Sequence, residues 1–534
     1  MKFFLIMLLL ATHVHAVQYY VRTDGADTND GLANAADAAG TAGQAWLTIQ
    51  KAATTMVAGD TVTVQAGTYP EKVTTAANGS LGNRIIFQAS GAVILYGWQI
   101  NHGYITVNGF NVRYASSAVG SDGFLAFGGN GDNCIVENCT FGPGIGIKRT
   151  DFVFADTNPD TITSATGGFN ASGIRNGATI NVWASVSAGD TLNRYDRYTV
   201  ASFTDTVITL SGGDSVTAES GATAFLYGIE ATMFFNSTSN DNIIRNNTFA
   251  TTNADWMLMS GTGHIIENNV FDNVNGFDGI AFAGTNITIR RNLIKNSSSY
   301  NAFNPSTDAL TNNGSVVNNI TIEENMIVDY VGNIDYAHAT PQSGPVIIRK
   351  NVFVNTGAGF YTHLPNPTFD RNTFYDVAKI NNAQAPPQNH AIVFFDSGNN
   401  VTSAIVTSNL FIGCGLNQTS TNGWYINSEP ALTSFTANYN YVTGPSPGFA
   451  TKTGFSETNG INGGNPLFVN AANPIGPDGI AFTADDGLRL AAGSPAIGAG
   501  PAGADLGAYD YVAAPPSGGT INATITNAGT VTVQ

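Results

Sequence analysis

Charged residues are scarce in this chain of 534 residues: they make up 11% of it, with 21 Lys or Arg against 38 Asp or Glu. Binding to a nucleic-acid backbone requires clustered Lys and Arg side chains. The net charge of −17 therefore disfavours DNA or RNA as a partner. It also makes an acidic polysaccharide an awkward ligand unless a metal ion bridges the two.

Cysteines and long apolar runs are also few. The three cysteines, Cys134, Cys139 and Cys414, show no disulfide framework in their spacing. Cys134 and Cys139 would face opposite ways on one strand, so we expect no structural disulfide. After the N-terminus, no segment reaches the ~18 apolar residues of a membrane-spanning helix. The sequence also contains no P-loop, Rossmann glycine pattern, zinc spacing or nucleophile elbow.

The N-terminus has the pattern of a secretory signal peptide. Lys2 precedes an apolar run over residues 3–11, and His15 and Ala16 lie before the expected cleavage point. We therefore expect the mature protein to be exported, either secreted or held at the cell surface.

A seven-residue phrase dominates what the sequence does contain. It consists of two apolar or β-branched residues, a charge, a polar residue, Asn, any residue, and Phe or Ile. The clear copies begin at residues 243, 265, 288, 321, 347 and 368, and looser copies begin at 135, 405 and 436. A unit that recurs in this way predicts stacked coils of parallel strands.

Each phrase position predicts a column of side chains along the stack. The third position alternates in sign over seven coils: Glu137, Arg245, Glu267, Arg290, Glu323, Arg349 and Asp370. Adjacent strands lie ~4.8 Å apart, so opposite charges at this position can pair. The fifth position gives a column of Asn that we expect to hydrogen-bond to one another at a tight turn with left-handed φ. The seventh position gives a buried column of Phe and Ile.

Two further elements are predicted. Thr48–Val57 reads as a helix with Thr48 as N-cap and Gly59 at its end, and its apolar face would cover the first coil. Between the phrases at 135 and 243 the step is 108 residues, which indicates an insertion. Its alternating strands at 179–183, 198–203 and 206–210 favour a small β-barrel.

These motifs resemble a known group of proteins. GDTVTVQAGTYPE (59–71), the Asn phrases, NPLF (465–468), DDGLRLAAGSPAIGAG (485–500) and DLGAYDY (505–511) are similar to secreted right-handed parallel β-helix proteins of the pectin-lyase-like fold. The expected architecture is an all-β, right-handed, single-stranded parallel β-helix with an N-terminal helical cap and an inserted small β-barrel. The expected divisions are a signal peptide (1–16), the cap and first coils (17–154), the barrel module (155–228), the main β-helix and closing segment (229–512) and a flexible tail (513–534).

The resemblance implies a cleft along the strands that precede the Asn phrases. Candidate catalytic residues there are Tyr361, His363, Asp335, His338 and Asp396. A Tyr/His pair could move a proton in β-elimination, and paired carboxylates could instead support hydrolysis. Ordinary surface residues would give the same pattern, and that alternative stays open.

Lyases of this fold typically use Lys or Arg as base beside acidic residues that hold Ca²⁺, and the present sequence departs from that pattern. Lys295 with Asp272 and Asp278 is the nearest match. Two acidic loops could bind Ca²⁺ in a structural role, because calcium takes six to eight oxygen ligands. Their carboxylates are Asp24, Asp27 and Asp30 in one loop and Asp478, Asp485 and Asp486 in the other.

Two functions are compatible with these features. The first is a secreted enzyme that binds and cleaves extracellular polysaccharide, a polysaccharide lyase before a glycoside hydrolase. The second is a non-catalytic surface adhesin or structural glycan-binding protein.

Overall fold

The protein is described by a computed structural model. The described residues are 16–37, 43–113, 123–142, 146–170, 174, 176–183, 192–193, 196–227, 231–252, 255–274, 278–297, 301–305, 317–330, 333–336, 344–357, 359–362, 366–378, 390–394, 403–415, 426–428, 434–443, 457–513, 524–525 and 531–532.

The chain is a right-handed parallel β-helix, and its described residues form a sheet of 34 strands. Each coil places strands on up to three faces, and each strand pairs in parallel with its equivalents on the adjacent coils. Two long strands, Thr61–Thr74 and Ile85–Ile100, run through all three faces.

Face 1 carries the start of the Asn phrase. Its other strands are Gln18–Val21, Ile105–Asn108, Ile135–Glu137, Ile243–Arg245, Ile265–Glu267, Thr288–Arg290, Ile320–Glu323, Val346–Arg349, Pro367–Asp370, Ser403–Thr407, Ser434–Asn438 and Glu457–Thr458.

Face 2 carries the end of the phrase. Its other strands are Asn111–Val112, Thr140–Phe141, Thr248–Thr252, Val270–Val274, Leu293–Ser297, Met326–Tyr330, Val352–Thr356, Thr373–Tyr375, Leu410–Ile412, Tyr441–Thr443 and Ile461–Asn462.

Face 3 lies between the end of one phrase and the start of the next. Its other strands are Leu125–Phe127, Ala231–Phe235, Asp255–Thr262, Asp278–Thr285, Asn301–Pro305, Asn333–Tyr336, Phe360–Thr362, Ile392–Phe394 and Ile426–Ser428.

At the corner between faces 1 and 2 the predicted column of hydrogen-bonded Asn side chains is confirmed. The left-handed backbone conformation that was predicted for these Asn residues is not found there. The Asn side chains are buried and bond from coil to coil; for example, the Asn292 Nδ2 donates to Asn325 Oδ1 at 2.9 Å. The left-handed φ, however, belongs to the preceding residue, such as Asn246 (57°), Arg291 (53°) or Lys350 (52°). That residue makes the turn while the Asn points into the core, so its identity is free to vary.

The apolar and charge columns are confirmed as well. Phe249 stacks on Phe271 with 4.6 Å between ring centroids, and Phe374 stacks on Phe411 at 4.9 Å. The third-position residues pair in register along all seven coils, from Glu137 to Asp370.

The predicted cap helix spans Ile49–Thr55, with Lys51 N donating to the Thr48 hydroxyl at 3.1 Å. It ends at Thr55, earlier than expected, because Met56 is already extended. The apolar face is buried against the core of the first coils.

The insertion contains a closed six-stranded barrel with antiparallel pairings. Its strands are Gly146–Ala155, Thr161–Ser164, Thr179–Trp183, Arg197–Phe203, Val207–Leu210 and Glu219–Tyr227. The first strand begins before the expected boundary at 155, because its Lys-Arg-Thr-Asp stretch obscures the strand alternation. Ile135–Glu137 pairs directly with Ile243–Arg245, so the coils of the β-helix stay stacked across the insertion.

The closing segment, residues 465–511, crosses the outer surface of face 2. Its Leu488 and Tyr509 join a buried cluster with Met326 and Val352 of the strands beneath. Gly507 N donates to the Ser408 carbonyl at 2.8 Å. The outward side of face 2 is apolar because this segment covers it. In the described part of the tail, Thr524–Ile525 pairs antiparallel with Val531–Thr532.

The three cysteines are buried thiols that form no disulfide. Cys134 and Cys139 lie at the two corners that flank the strand Ile135–Glu137, so the expected alternation along one strand does not apply to them. Burial raises the pKa of both thiols to about 12. No described helix is long and apolar enough to span a membrane.

Candidate functional site

The structure places two of the five predicted catalytic residues on neighbouring strands of face 3. Tyr361 pairs with Tyr336 on one side and Val393 on the other. Asp335 pairs with Phe360, which is buried in the core. Asp335 and Tyr361 therefore occupy alternating register positions and not the same column. His363, His338 and Asp396 lie outside the described residues, so the predicted acid–base group stays a prediction.

The arginines of the phrase are held by carboxylates on face 1. The shortest contacts between guanidinium and carboxylate are 2.6 Å for Arg245 with Glu137, 2.7 Å for Arg290 with Glu267 and 2.6 Å for Arg349 with Glu323. The carboxylate side chains are only 11–15% exposed and would be costly to leave unpaired. These pairs support a structural role for the three arginines.

The nearest match to the lyase pattern is also an ion pair. Lys295 Nζ lies 3.5 Å from Asp272 Oδ2 on the neighbouring coil of face 2. Asp278 begins a strand of face 3, where it pairs with Asn301. The structure thus assigns Lys295 to a different face from Asp278.

In the first acidic loop the three carboxylates serve local turns. Asp24 pairs with Arg22 at 2.7 Å, which lowers the pKa of that carboxyl. Asp27 accepts from Leu47 N, Thr48 N and the Thr48 hydroxyl. Asp30 accepts from Leu32 N and Gly43 N. These bonds fix the loop that leads into the cap helix.

The second acidic loop lies in the closing segment. Asp485 accepts from Asp478 N and from the Thr483 hydroxyl, and these bonds lower its pKa. Asp486 is fully buried, and its Oδ2 accepts from the Tyr509 hydroxyl at 2.7 Å. Within the described ranges, no group of three or more His, Cys, Asp or Glu is placed to hold a metal ion. Calcium binding by either loop stays a prediction.

A cleft that the sequence did not indicate lies where the closing segment meets face 2. Its volume is about 450 Å³, within the range of small-molecule pockets. Its lining comprises Tyr375, Ile412, Asn465, Pro466, Leu467, Phe468, Ala471, Ala491 and Ala492. Two sequence features could have indicated this cleft. They are the aromatic Tyr375, which directly follows a copy of the phrase, and the NPLF motif at residues 465–468.

Comparisons with known proteins agree with this architecture. A family profile described as "Right handed beta helix region" matches residues 227–429. No curated protein matches the chain.

Several solved structures are similar at low identity. A pectate lyase, Pel9A, is 12% identical with a TM-score of 0.45, covering 93% of this chain and 97% of that one. A rhamnogalacturonan lyase is 13% identical with a TM-score of 0.41, covering 89% and 97%. The tailspike protein of E. coli bacteriophage HK620, solved with a pentasaccharide, is 12% identical with a TM-score of 0.39, covering 73% and 60%.

Proposed function

We propose that this protein is exported and binds an extracellular polysaccharide along face 3. The observation that carries the proposal is the regular repetition of this face. Within the described residues it contains strands from eleven coils in parallel register, a row about 50 Å long at ~4.8 Å per coil, in which Leu258 and Ala281 are buried in an apolar cluster of their own. A linear surface of repeated positions suits a linear polymer of repeated units.

The register at the predicted site supports this choice of face. Tyr336 and Tyr361 occupy equivalent positions on successive coils. Tyrosine offers an apolar ring and a polar hydroxyl, both of which suit a sugar surface. Because the chain carries a net charge of −17, the proposal favours a neutral polysaccharide, or an acidic one bridged by a cation such as Ca²⁺.

Cleavage of the bound chain is the second part of the proposal. Tyr361 and His363 would exchange a proton with the substrate, while His338 or Asp396 would supply a further acid or base; Asp335 shares the register position of the buried Phe360 and is left out of this role. On an acidic polymer bridged by a cation this arrangement suits β-elimination of the uronate, and on a neutral polymer it would leave hydrolysis by carboxylates as the second possibility. The alternative is a surface adhesin that binds glycan on the same face without reacting.

The test separates binding from cleavage on one panel of neutral and uronate polysaccharides. Affinity electrophoresis measures binding, while ultraviolet absorbance of unsaturated uronates and reducing-end release measure β-elimination and hydrolysis. Each assay is run with Ca²⁺ and with a chelator. We expect retardation by at least one polymer and its loss in Tyr361→Ala.

Two variants sharpen the result. Tyr361→Phe keeps the ring and should retain binding while abolishing cleavage, if Tyr361 transfers a proton. Tyr96→Ala, at a partly exposed tyrosine of the strand Ile85–Ile100, should change neither. Binding without cleavage would favour the adhesin, and no retardation by any polymer would refute the proposal for that panel.

A further inference from the structure

The cleft under the closing segment has a strained wall. Leu467 has a φ of 53°, in the left-handed region that is uncommon for bulky residues. Its carbonyl accepts from Ala491 N at 2.7 Å, and its own N–H donates to Asn465 Oδ1 at 2.9 Å. The backbone is therefore held on both sides in a conformation that disfavours leucine. Such strain is frequently found where a side chain must be held against a ligand.

The wall also presents apolar and aromatic surface to solvent. Leu467 is 38% exposed, and the Tyr375 and Phe468 rings meet edge to face with 5.9 Å between their centroids. Asn465 and backbone groups supply polar edges around these rings. A small ligand with one apolar face and hydroxyl groups at its rim would match both features.

The absence of charged side chains from the lining of the cleft favours an uncharged ligand. The residues that line the cleft carry no formal charge. Burial and, second to it, the neighbouring Asp376 carboxylate raise the pKa of the Tyr375 hydroxyl, so this phenol stays neutral. With no cationic side chain in the lining, a uronate or phosphate would lose its hydration without gaining an ion pair, whereas an uncharged pyranose would not.

We infer that the cleft lined by Tyr375, Leu467 and Phe468 is a second glycan site that holds a single neutral pyranose unit. It lies on face 2, separate from the polymer surface proposed on face 3. This inference deepens the proposed function and rests on it, since a second site would hold another unit or branch of the same class of ligand.

Saturation-transfer NMR on the full chain tests the inference. The probes are methyl glycosides of glucose, galactose and mannose, with methyl glucuronide as the charged comparison. Ala491→Leu fills the cleft without removing a wall, and should weaken binding of the preferred neutral glycoside at least about tenfold. Ile480→Ala is the matched control, because Ile480 is exposed in the same segment but does not line the cleft.

A second variant probes the strained wall. Leu467→Gly relieves the left-handed φ and should keep or raise Tm while weakening the neutral glycoside. If Leu467 has only a structural role in the turn, Leu467→Gly will raise Tm and leave the affinity for the neutral glycoside unchanged. That result would contradict the role given to Leu467.

The outcomes also separate the two sites. Loss of glycoside signal in Ala491→Leu but not in Tyr361→Ala would support a distinct cleft. Equal binding by wild type and Ala491→Leu, a preference for the glucuronide, or no signal with any neutral glycoside would overturn the inference. In each of those cases polymer retardation that depends on Tyr361 would leave the face 3 proposal intact.

Discussion

At the scale of single residues, buried amides stabilise the stack by satisfying one another. The Asn325 amide nitrogen donates to Asn351 Oδ1 at 3.0 Å and to the Ile289 carbonyl at 2.9 Å. Its oxygen accepts from the backbone and the side chain of Asn292. The column ends at Glu457, whose carboxylate accepts from both the backbone and the side-chain nitrogen of Asn440. A carboxylate that only accepts is a suitable end for a column in which each amide donates onward.

This geometry predicts the effect of removing one amide. Asn325→Ala leaves two donors of Asn292 and the Ile289 carbonyl without partners in the core, so we expect a loss of about 3 kcal/mol or more in unfolding free energy. Urea unfolding measures the change. Asn462→Ala, at an exposed position of the last coil, should lie within ~0.5 kcal/mol of wild type. Equal effects of the two substitutions would show that the column is not needed for stability.

At the scale of elements, the closing segment contains the described carboxyl with the most strongly raised pKa. Burial raises the pKa of Asp486 from 3.8 to about 6, although Tyr509 donates to it. Its Oδ1 has no hydrogen-bond partner among the described residues. Asp478 adds repulsion, while Arg489 lies over the Tyr509 ring at 5.2 Å from its centroid. The charged form of Asp486 therefore opposes the packing of this segment onto face 2.

The sign of the pH dependence follows from that shift. A carboxyl whose pKa is higher in the folded state binds its proton more tightly there, so its contribution to stability is full below about pH 4 and is lost as pH rises through about 6. The Tm of the wild type minus the Tm of Asp486→Asn, measured by thermal unfolding from pH 4 to pH 7, should fall over this range. Asp505→Asn, in the same segment but partly exposed, is the control. A difference that does not vary with pH would contradict the assignment.

The elements also show what the sequence can and cannot predict. The phrase columns were predictable, because stacking places the same phrase position of every coil in contact and each contact selects a residue type. The left-handed position was not, because Asn246, Arg291 and Lys350 point outward and share no side-chain chemistry. Asp335 could not be placed, since the coil that carries it differs in length from its neighbours. The cleft was missed because the apolar residues of the closing segment have no regular period.

At the scale of the whole molecule, the barrel is an insertion that the stack does not require. On the coil before it, Thr140 and Phe141 pair with Thr248 and Phe249 on the coil after it. Glu137 and Arg245 form their ion pair across the same step. The contacts that join these coils are therefore made by residues outside the barrel.

We expect that replacing residues 146–227 by a short Gly/Ser linker leaves a folded β-helix. The parallel register and the Phe141–Phe249 stack, with 5.0 Å between ring centroids, remain available, and the barrel's own core is removed as a unit. Closing a shorter loop costs less entropy than closing the long one, so Tm of the β-helix transition should stay within a few degrees of wild type. Far-ultraviolet circular dichroism and calorimetry measure this. The matched control, Phe249→Ala in the full chain, removes a ring from the core at the same step and should lower Tm markedly. Loss of the β-helix transition in the excised protein would show that the barrel helps to hold the two coils together.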